Sequence, residues 1–418
     1  MKKHAISVAV ACAIFGAAAP VYAQTGQSGF NPNISAVINV GYTDRSDFEG
    51  IGNLPIDEEH AGGPDEGFWV DHTELALSAA FDDMFYGKVT TVLAEHDDET
   101  EVELEEAFVQ TMGMPYGLSV RGGRFLSNIG YLNSKHMHTD SFVDRPLVYR
   151  AFVGSHYYDD GVRLNWVAPT DTYIELGVEG FKGGQFPAAA DSSIGATNLY
   201  AKFGGDIGDS QSWQAGLAWL STEHVFGECG THDHGHDDEH DHEDHDEHEE
   251  DHHDEEHHDE DHHEFEFGAC DFDGDKDFYI ADFVWKWAPG GNYKYQSLTL
   301  QGEYFYVDED GWYGHEHEGE YEQELRHDDS NSGWYVSGVY RWSPNWSAGV
   351  RYSEIDPADV YSEGYKPKAT DLMLDWNYSH FATVRVQYTR DESMEDLEDD
   401  IFSIQFVGTL GAHGAHLY

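Results

Sequence analysis

From Asn33 onward the chain repeats one unit, a segment of alternating apolar and polar residues closed by a turn. Alternation of period two assigns successive side chains to opposite faces of a strand. The second half shows it best. Tyr279, Ala281, Phe283 and Trp285 make one face against Asp282 and Lys286, and Leu298, Leu300, Gly302 and Tyr304 alternate with Thr299, Gln301 and Glu303. Trp346, Ala348, Val350 and Tyr352 alternate with Ser347, Gly349 and Arg351, and Ala382, Val384, Val386 and Tyr388 with Thr383, Arg385 and Gln387. These faces suit lipid outside and water inside a barrel. A soluble β-sandwich would turn its aromatic faces inward, and the pattern alone leaves that open.

The connections discriminate better. Tight turns at 167–171, 204–210, 288–292, 343–345 and 377–380 interleave with longer segments at 43–68, 127–158, 182–194, 223–276, 308–332, 356–366 and 391–399. Short periplasmic turns and long external loops are the rule of outer-membrane barrels. The reading is therefore all-β, a porin-like transmembrane antiparallel β-barrel of sixteen strands. They are expected near 33–42, 70–80, 86–95, 101–112, 116–125, 159–167, 171–181, 196–204, 211–222, 277–287, 294–307, 333–343, 345–355, 367–376, 380–390 and 400–410. An even number returns both ends to the periplasm, and 223–276 becomes the fifth external loop.

Sixteen strands enclose an aqueous lumen. Arg121, Arg163, Lys286, Arg341, Arg351 and Arg385 are expected to line the pore, opposite Glu74, Glu103, Glu105, Glu175, Glu179 and Glu303. The chain opens with MKKHAISVAVACAIFGAAAPVYAQ, whose two lysines, short apolar run and "VYA" ending read as a signal peptide over 1–23. Residues 24–418 are then the barrel, in the outer membrane of a Gram-negative cell, with lipid and lipopolysaccharide around it. Formal net charge is −59, and removing the 19 carboxylates between Asp233 and Glu264 still leaves −40. So negative a surface repels nucleic acid and attracts cations.

The segment "HDHGHDDEHDHEDHDEHEEDHHDEEHHDEDHHE" contains only His, Asp, Glu and one Gly. No apolar residue is present to offset ordering entropy, so a solvated, extended stretch is expected. Its thirteen imidazoles are His232, His234, His236, His240, His242, His245, His248, His252, His253, His257, His258, His262 and His263. Neutral imidazole with carboxylate oxygen suits Zn2+, with Ni2+ and Cu2+ as the other metals such donors accept. The spacing matches no folded zinc module, so several exchanging sites are expected rather than one tight one. Cys229 and Cys270 flank the segment. In an oxidising compartment they read as a disulfide worth about 4 kcal/mol for a loop of roughly 40 residues, with thiolate metal ligands the alternative.

The stretch "GGRFLSNIGYLNSKHMHTDSFVDRPLVYRAFVGSHYYDDGVRLNWVAPTD", 122–171, resembles proteobacterial porin-like outer-membrane proteins. Its "GGRF" is similar to the strand-end motif of phosphate-selective porins. With "ELEEAFVQT" before it, the phrase resembles a family associated with zinc supply. The likeness covers 30–222 well, the later strands loosely and the histidine segment by composition. It implies that the third external loop folds into the barrel as a constriction. That loop carries His136, His138, Asp140 and Asp144 in "HMHTDSFVD". The two imidazoles and a carboxylate are candidate ligands for one cation; packing on Tyr131 and Arg145 is the alternative. His315 and His317 in "GHEHEGE" repeat the theme on another external loop.

Histidine-rich loops also occur in zinc-regulated TonB-dependent receptors, but about ten residues between Gln24 and the first strand leave no plug domain, and sixteen strands fall short of 22. The functional expectation is a metal-capturing channel, with a surface metal buffer or adhesion barrel as the alternative. Nothing resembles an ordered nucleophile, base and orienter, so an enzyme is not expected. Porin-type barrels also suggest a homo-oligomer.

Overall fold

The computed structural model describes residues 32–46, 66–96, 99–190, 192–225, 272–317, 320–358, 361, 364–395 and 397–411. The signal segment, Cys229, Cys270 and all thirteen histidines from His232 to His263 lie outside the described residues.

One antiparallel sheet runs through β1 (Asn33–Arg45), β2 (Gly67–Val70), β3 (Thr73–Ala80), β4 (Phe85–His96), β5 (Glu99–Thr111), β6 (Leu118–Leu126), β7 (Tyr158–Val167), β8 (Tyr173–Phe181) and β9 (Ala196–Ile207). It continues through β10 (Gln211–His224), β11 (Phe272–Trp287), β12 (Ser297–His317), β13 (Glu320–Ser343), β14 (Trp346–Asp356), β15 (Lys368–Ser379), β16 (Ala382–Glu392) and β17 (Asp399–Gly411). The last strand pairs with the first, from Ser35↔Gly411 to Arg45↔Ile401, so the sheet closes without edges. β1 also pairs with both β2 and β3, which form a single crossing interrupted at Asp71–His72. His72 takes a positive φ of 44° at this break. The barrel thus has sixteen strands.

Side-chain alternation follows the sequence. Tyr279 and Phe283 are 48% and 51% exposed on the outer wall, while Asp282 between them is buried inside. Val350, Leu372 and Phe406 are exposed likewise, against buried Arg351, Asp371 and Gln405. Lipid is the solvent that such an apolar outer belt requires, and a closed barrel satisfies every backbone group across it. No helix among the described residues is long and apolar enough to cross a membrane.

One expected loop is corrected. Residues 308–332 are largely strand, because β12 and β13 continue as a paired hairpin to His317↔Glu320. Beyond the bilayer no lipid imposes apolar alternation, so the hydrogen-bonded ladder outlasts the pattern. Tyr313, His327 and Phe272 pack there with Tyr361, and Glu309 accepts from His327 at 3.0 Å and from the Tyr361 hydroxyl at 2.9 Å. His315 and His317 therefore sit on strand backbone, opposite Glu322 and Glu320.

Between β6 and β7 the third loop turns inward. Its only α-helix among the described residues, α1 (Leu147–Val153), is buried at every position and stops at Gly154, which takes the left-handed φ of 56°. Tyr149 and Phe152 pack on Phe305 of β12, so an apolar plate lies against the inner wall.

Candidate metal site in the third loop

The loop is held by wall charges. Glu303 accepts from the backbone N–H groups of Tyr131 (2.9 Å) and Leu132 (3.0 Å) and from the hydroxyls of Tyr149 and Tyr335 (2.8 Å each). Gly130 permits this convergence: a Cβ there would lie 2.3 Å from the Glu303 carboxylate. Glu179 accepts from Ser127 at 2.5 Å and from Arg163. Arg351 bonds Asp144 at 2.8 Å and Asp371 at 2.6 Å, and Arg385 donates to the carbonyls of Phe142 and Asp140 at 2.8 Å each. Because these partners lie on β8, β12, β14 and β16, the loop reaches across the lumen.

This arrangement alters the role expected of the basic residues. Arg351 and Arg385 stand on the inner wall but are buried as anchors of the third loop, since each donates to its carboxylates or carbonyls, and buried Arg163 donates to the Leu126 carbonyl at the end of β6 and to Glu179. Arg121 donates to Gln110 and lies over the Phe108 ring at 4.1 Å. Lys286 lies 5.8 Å from the Tyr131 ring, and Arg341 bonds the Pro344 carbonyl at a turn.

On the opposite wall the loop meets carboxylates. A turn over Met137–Thr139, closed by Thr139 N–H on the His136 carbonyl at 3.0 Å, stacks the His136 and His138 rings 5.8 Å apart. His136 Nδ1 lies 2.8 Å from Glu105 and 3.6 Å from Glu74, and His138 Nδ1 lies 2.5 Å from the other Glu74 oxygen. His136 Nε2 faces Glu106 at 2.9 Å and the Lys88 ammonium at 2.7 Å. His156 approaches Glu105 at 3.6 Å, with His72 beside its ring.

Two consecutive glutamates face one imidazole because of a β-bulge. In the β4–β5 ladder Thr90 pairs with Glu106 and Thr91 with Leu104, which leaves Glu105 as the extra residue. A bulge re-aims a side chain that strict alternation would send outward, and both carboxylates are buried.

Ligand atoms of Glu74, Glu105 and His136 lie within 4.8 Å of one another, a set that could hold a metal ion. The convergent donors are one imidazole nitrogen and two carboxylates, and His138 contacts the second oxygen of Glu74 beside them. Asp140, expected to complete the histidine pair, goes elsewhere: it pairs with Arg145 at 2.5 Å, because the fully buried guanidinium needs a counter-charge. The wall supplies the carboxylates instead. Glu106, Lys88, His72 and His156 were not anticipated; the doubled glutamate in "ELEEAF", which breaks period two, was the visible signal.

The loop has its own electrostatics. Burial, then Lys286, pushes Lys135 down to about 7, and its ammonium lies 3.4 Å from the Tyr131 ring centroid. Burial would raise Asp144, but Arg351 and Arg150 outweigh it and hold the carboxyl below its ordinary range.

No family model matches the chain. It is 26% identical over 426 residues to an uncharacterized protein of Aquifex aeolicus, covering 93% of this chain and 80% of that one. Among solved structures it is similar to the outer membrane channel DcaP of Acinetobacter baumannii, with TM-score 0.55 and 12% identity over 93% of this chain and 100% of that one. It is also similar to the anion-selective porin from Comamonas acidovorans (TM-score 0.53, 9% identity, 91% and 100% covered). A third likeness is to the trimer form of OmpT of Vibrio cholerae (TM-score 0.52, 11% identity, 91% and 99% covered). The shared feature is the fold, a closed sixteen-strand antiparallel β-barrel like that of these porins.

Proposed function

We propose that the barrel is a channel for small hydrophilic solutes that captures divalent metal, zinc foremost, at its mouth and selects it at the third loop. The observation that carries this reading is the approach of Glu74, Glu105 and His136 within 4.8 Å, on a loop that reaches across the lumen. The histidine segment at 223–276 supports it by composition, because many exchanging ligands prolong residence by rebinding. The acidic surface draws cations toward it. Lipid and lipopolysaccharide surround the apolar belt, and a homo-oligomer is the assembly we expect.

A second reading has its own support: the buried α1 plate packs on Phe305 of the inner wall, which suits a surface metal buffer with a narrow or closed lumen. Planar-bilayer recordings decide between them. A channel shows discrete conductance that zinc reduces at lower concentration than calcium, and His136→Ala with Glu74→Gln removes the difference. An absence of conductance, or zinc sensitivity that survives both substitutions, would sink the channel reading or the site respectively.

A further inference from the structure

Outer-membrane barrels carry a girdle of aromatic side chains at each interface, where amphipathic rings sit among lipid headgroups. At its external end this barrel completes only part of that girdle. Tyr279, Tyr304, Tyr388, Phe402 and Tyr42 are exposed on the outer wall of β11, β12, β16, β17 and β1, and the Trp334–Tyr352 pair spans β13 and β14. On β4 to β9 the girdle is missing. Among the described residues the exposed rings of these strands, Phe85, Tyr173 and Phe203, all lie toward the periplasmic end, and the external halves present Leu93, Leu104, Val162, Val178 and Leu199 instead. A wall that met headgroups there would carry rings.

The same face is low. One hydrogen-bonded row across β4 to β8 reads Gly87–Val109–Gly122–Val162–Gly180, and a Cβ at Gly122 would meet nothing within 4 Å. Small outward residues let two walls approach closely. Charge favours this face as well. Just beyond the row, toward the medium, stand Arg124, which bonds Asp160 at 2.8 Å, and exposed Lys182, two cations to one carboxylate. On β10 to β13 the outer rim is Glu223, Asp275, Asp310 and Asp328, each directly opposite the next. Two copies meeting there would set carboxylate against carboxylate, whereas on β4 to β9 Lys182 of one copy can meet Asp160 of another. Six strands about 4.8 Å apart under an apolar band about 25 Å tall give roughly 700 Å2, near the roughly 800 Å2 that each partner brings to a stable interface.

We infer that the outer face of β4 to β9 is the surface on which a second copy of this chain docks. The inference rests on the proposed homo-oligomer and assigns its contact surface.

Photo-crosslinking in intact cells reads what each face touches. Benzoylphenylalanine placed at Val162 or Leu176 should give a covalent pair of this chain, identified by its peptides, and the same probe at Phe283 or Val350, equally exposed on β11 and β14, should not. Chain-to-chain products from Phe283 or Val350 alone, or lipid adducts alone from Val162 and Leu176, overturn the inference. Gly122→Phe provides the second readout, because the ring has open space in the single barrel and blocks a facing wall. Particles cut from the membrane in polymer nanodiscs should then hold one copy, with heat-modifiable migration retained, while Val350→Phe leaves the copy number unchanged. Oligomers that persist undiminished in Gly122→Phe also overturn the inference. If the parent protein holds one copy per particle, the homo-oligomer and the inference fall together. If it holds several and cross-links through another face, the homo-oligomer stands and only this surface is lost.

Discussion

Tyr149 on the third-loop helix donates its hydroxyl to Glu303 of β12 at 2.8 Å, linking residues 154 positions apart across the lumen. Three further donors converge on the same buried carboxylate. A buried charge is tolerated when its lone pairs are filled, and here three of the four filling groups belong to the loop. The constriction is therefore fixed by wall chemistry, as the Asp144–Arg351 pair repeats two strands along, on β14.

Glu303→Leu should loosen that constriction. It leaves four buried donors without their acceptor, at a cost of about 1–3 kcal/mol for each that cannot find water. The expected outcome is a barrel that still closes but unfolds at lower temperature, with larger and noisier conductance. Heat-modified migration on gels and single-channel recording measure the two effects. Unchanged conductance with lowered stability would mean that the loop does not set the pore.

The proposed metal site should discriminate by imidazole. Replacing His136 and His138 together with glutamine removes both nitrogens but leaves Glu74, Glu105 and Glu106 in place. Zinc sensitivity should fall about 10–100-fold while calcium sensitivity, which relies on oxygen, changes little. Parallel zinc and calcium block curves provide the measurement, and an equal loss for both ions counts against nitrogen ligation.

Lys135 makes the constriction sensitive to pH near neutrality. Its pKa of about 7 lies below the ordinary lysine value, so it is charged at pH 6 and largely neutral at pH 8. Raising pH thus removes a positive charge from the loop, and cation permeability should rise. Reversal potentials at pH 6 and pH 8 in a salt gradient test the sign, and Lys135→Met should flatten the change and hold the permeability near the high-pH value.

Much of the fold was legible because lipid enforces period two wherever a strand crosses it, and apart from the outer ends of β12 and β13 the expected strand bounds lie within about five residues of those observed. Above the bilayer that constraint lapses, which is why the β12–β13 extension was hidden. The site was half visible. Glu74 and Glu105 were assigned to the lumen and His136 and His138 to the constriction, but the contacts that join them span 64 and 31 residues. Nothing local specifies such pairings. Asp140 misled for the same reason: only the fold shows that buried Arg145 claims it.

Deleting 232–264 should leave the barrel assembled, because β10 and β11 pair from Gln211↔Trp287 through His224↔Gly274 without any residue of that segment. Heat-modifiable migration should persist while growth under zinc limitation falls. Failed insertion into the membrane would make the segment structural instead.

The final prediction joins metal to pH. Imidazole has to be neutral to coordinate, and dense carboxylates favour its protonated form, lifting it above the unperturbed value of about 6.5. Protons and metal then compete across the neutral range. Zinc binding to the 229–270 segment should weaken steeply between about pH 7.5 and pH 5.5, with more than one ion bound at the upper end. A trap made of carboxylates alone would hold Ca2+ as well as Zn2+ and lose little until the acids protonate below about pH 5. Calorimetric titrations with both ions at both pH values separate the two cases. Equal affinity for the two ions, or no change with pH, would remove histidine from capture and leave an acidic brush at the mouth of the barrel.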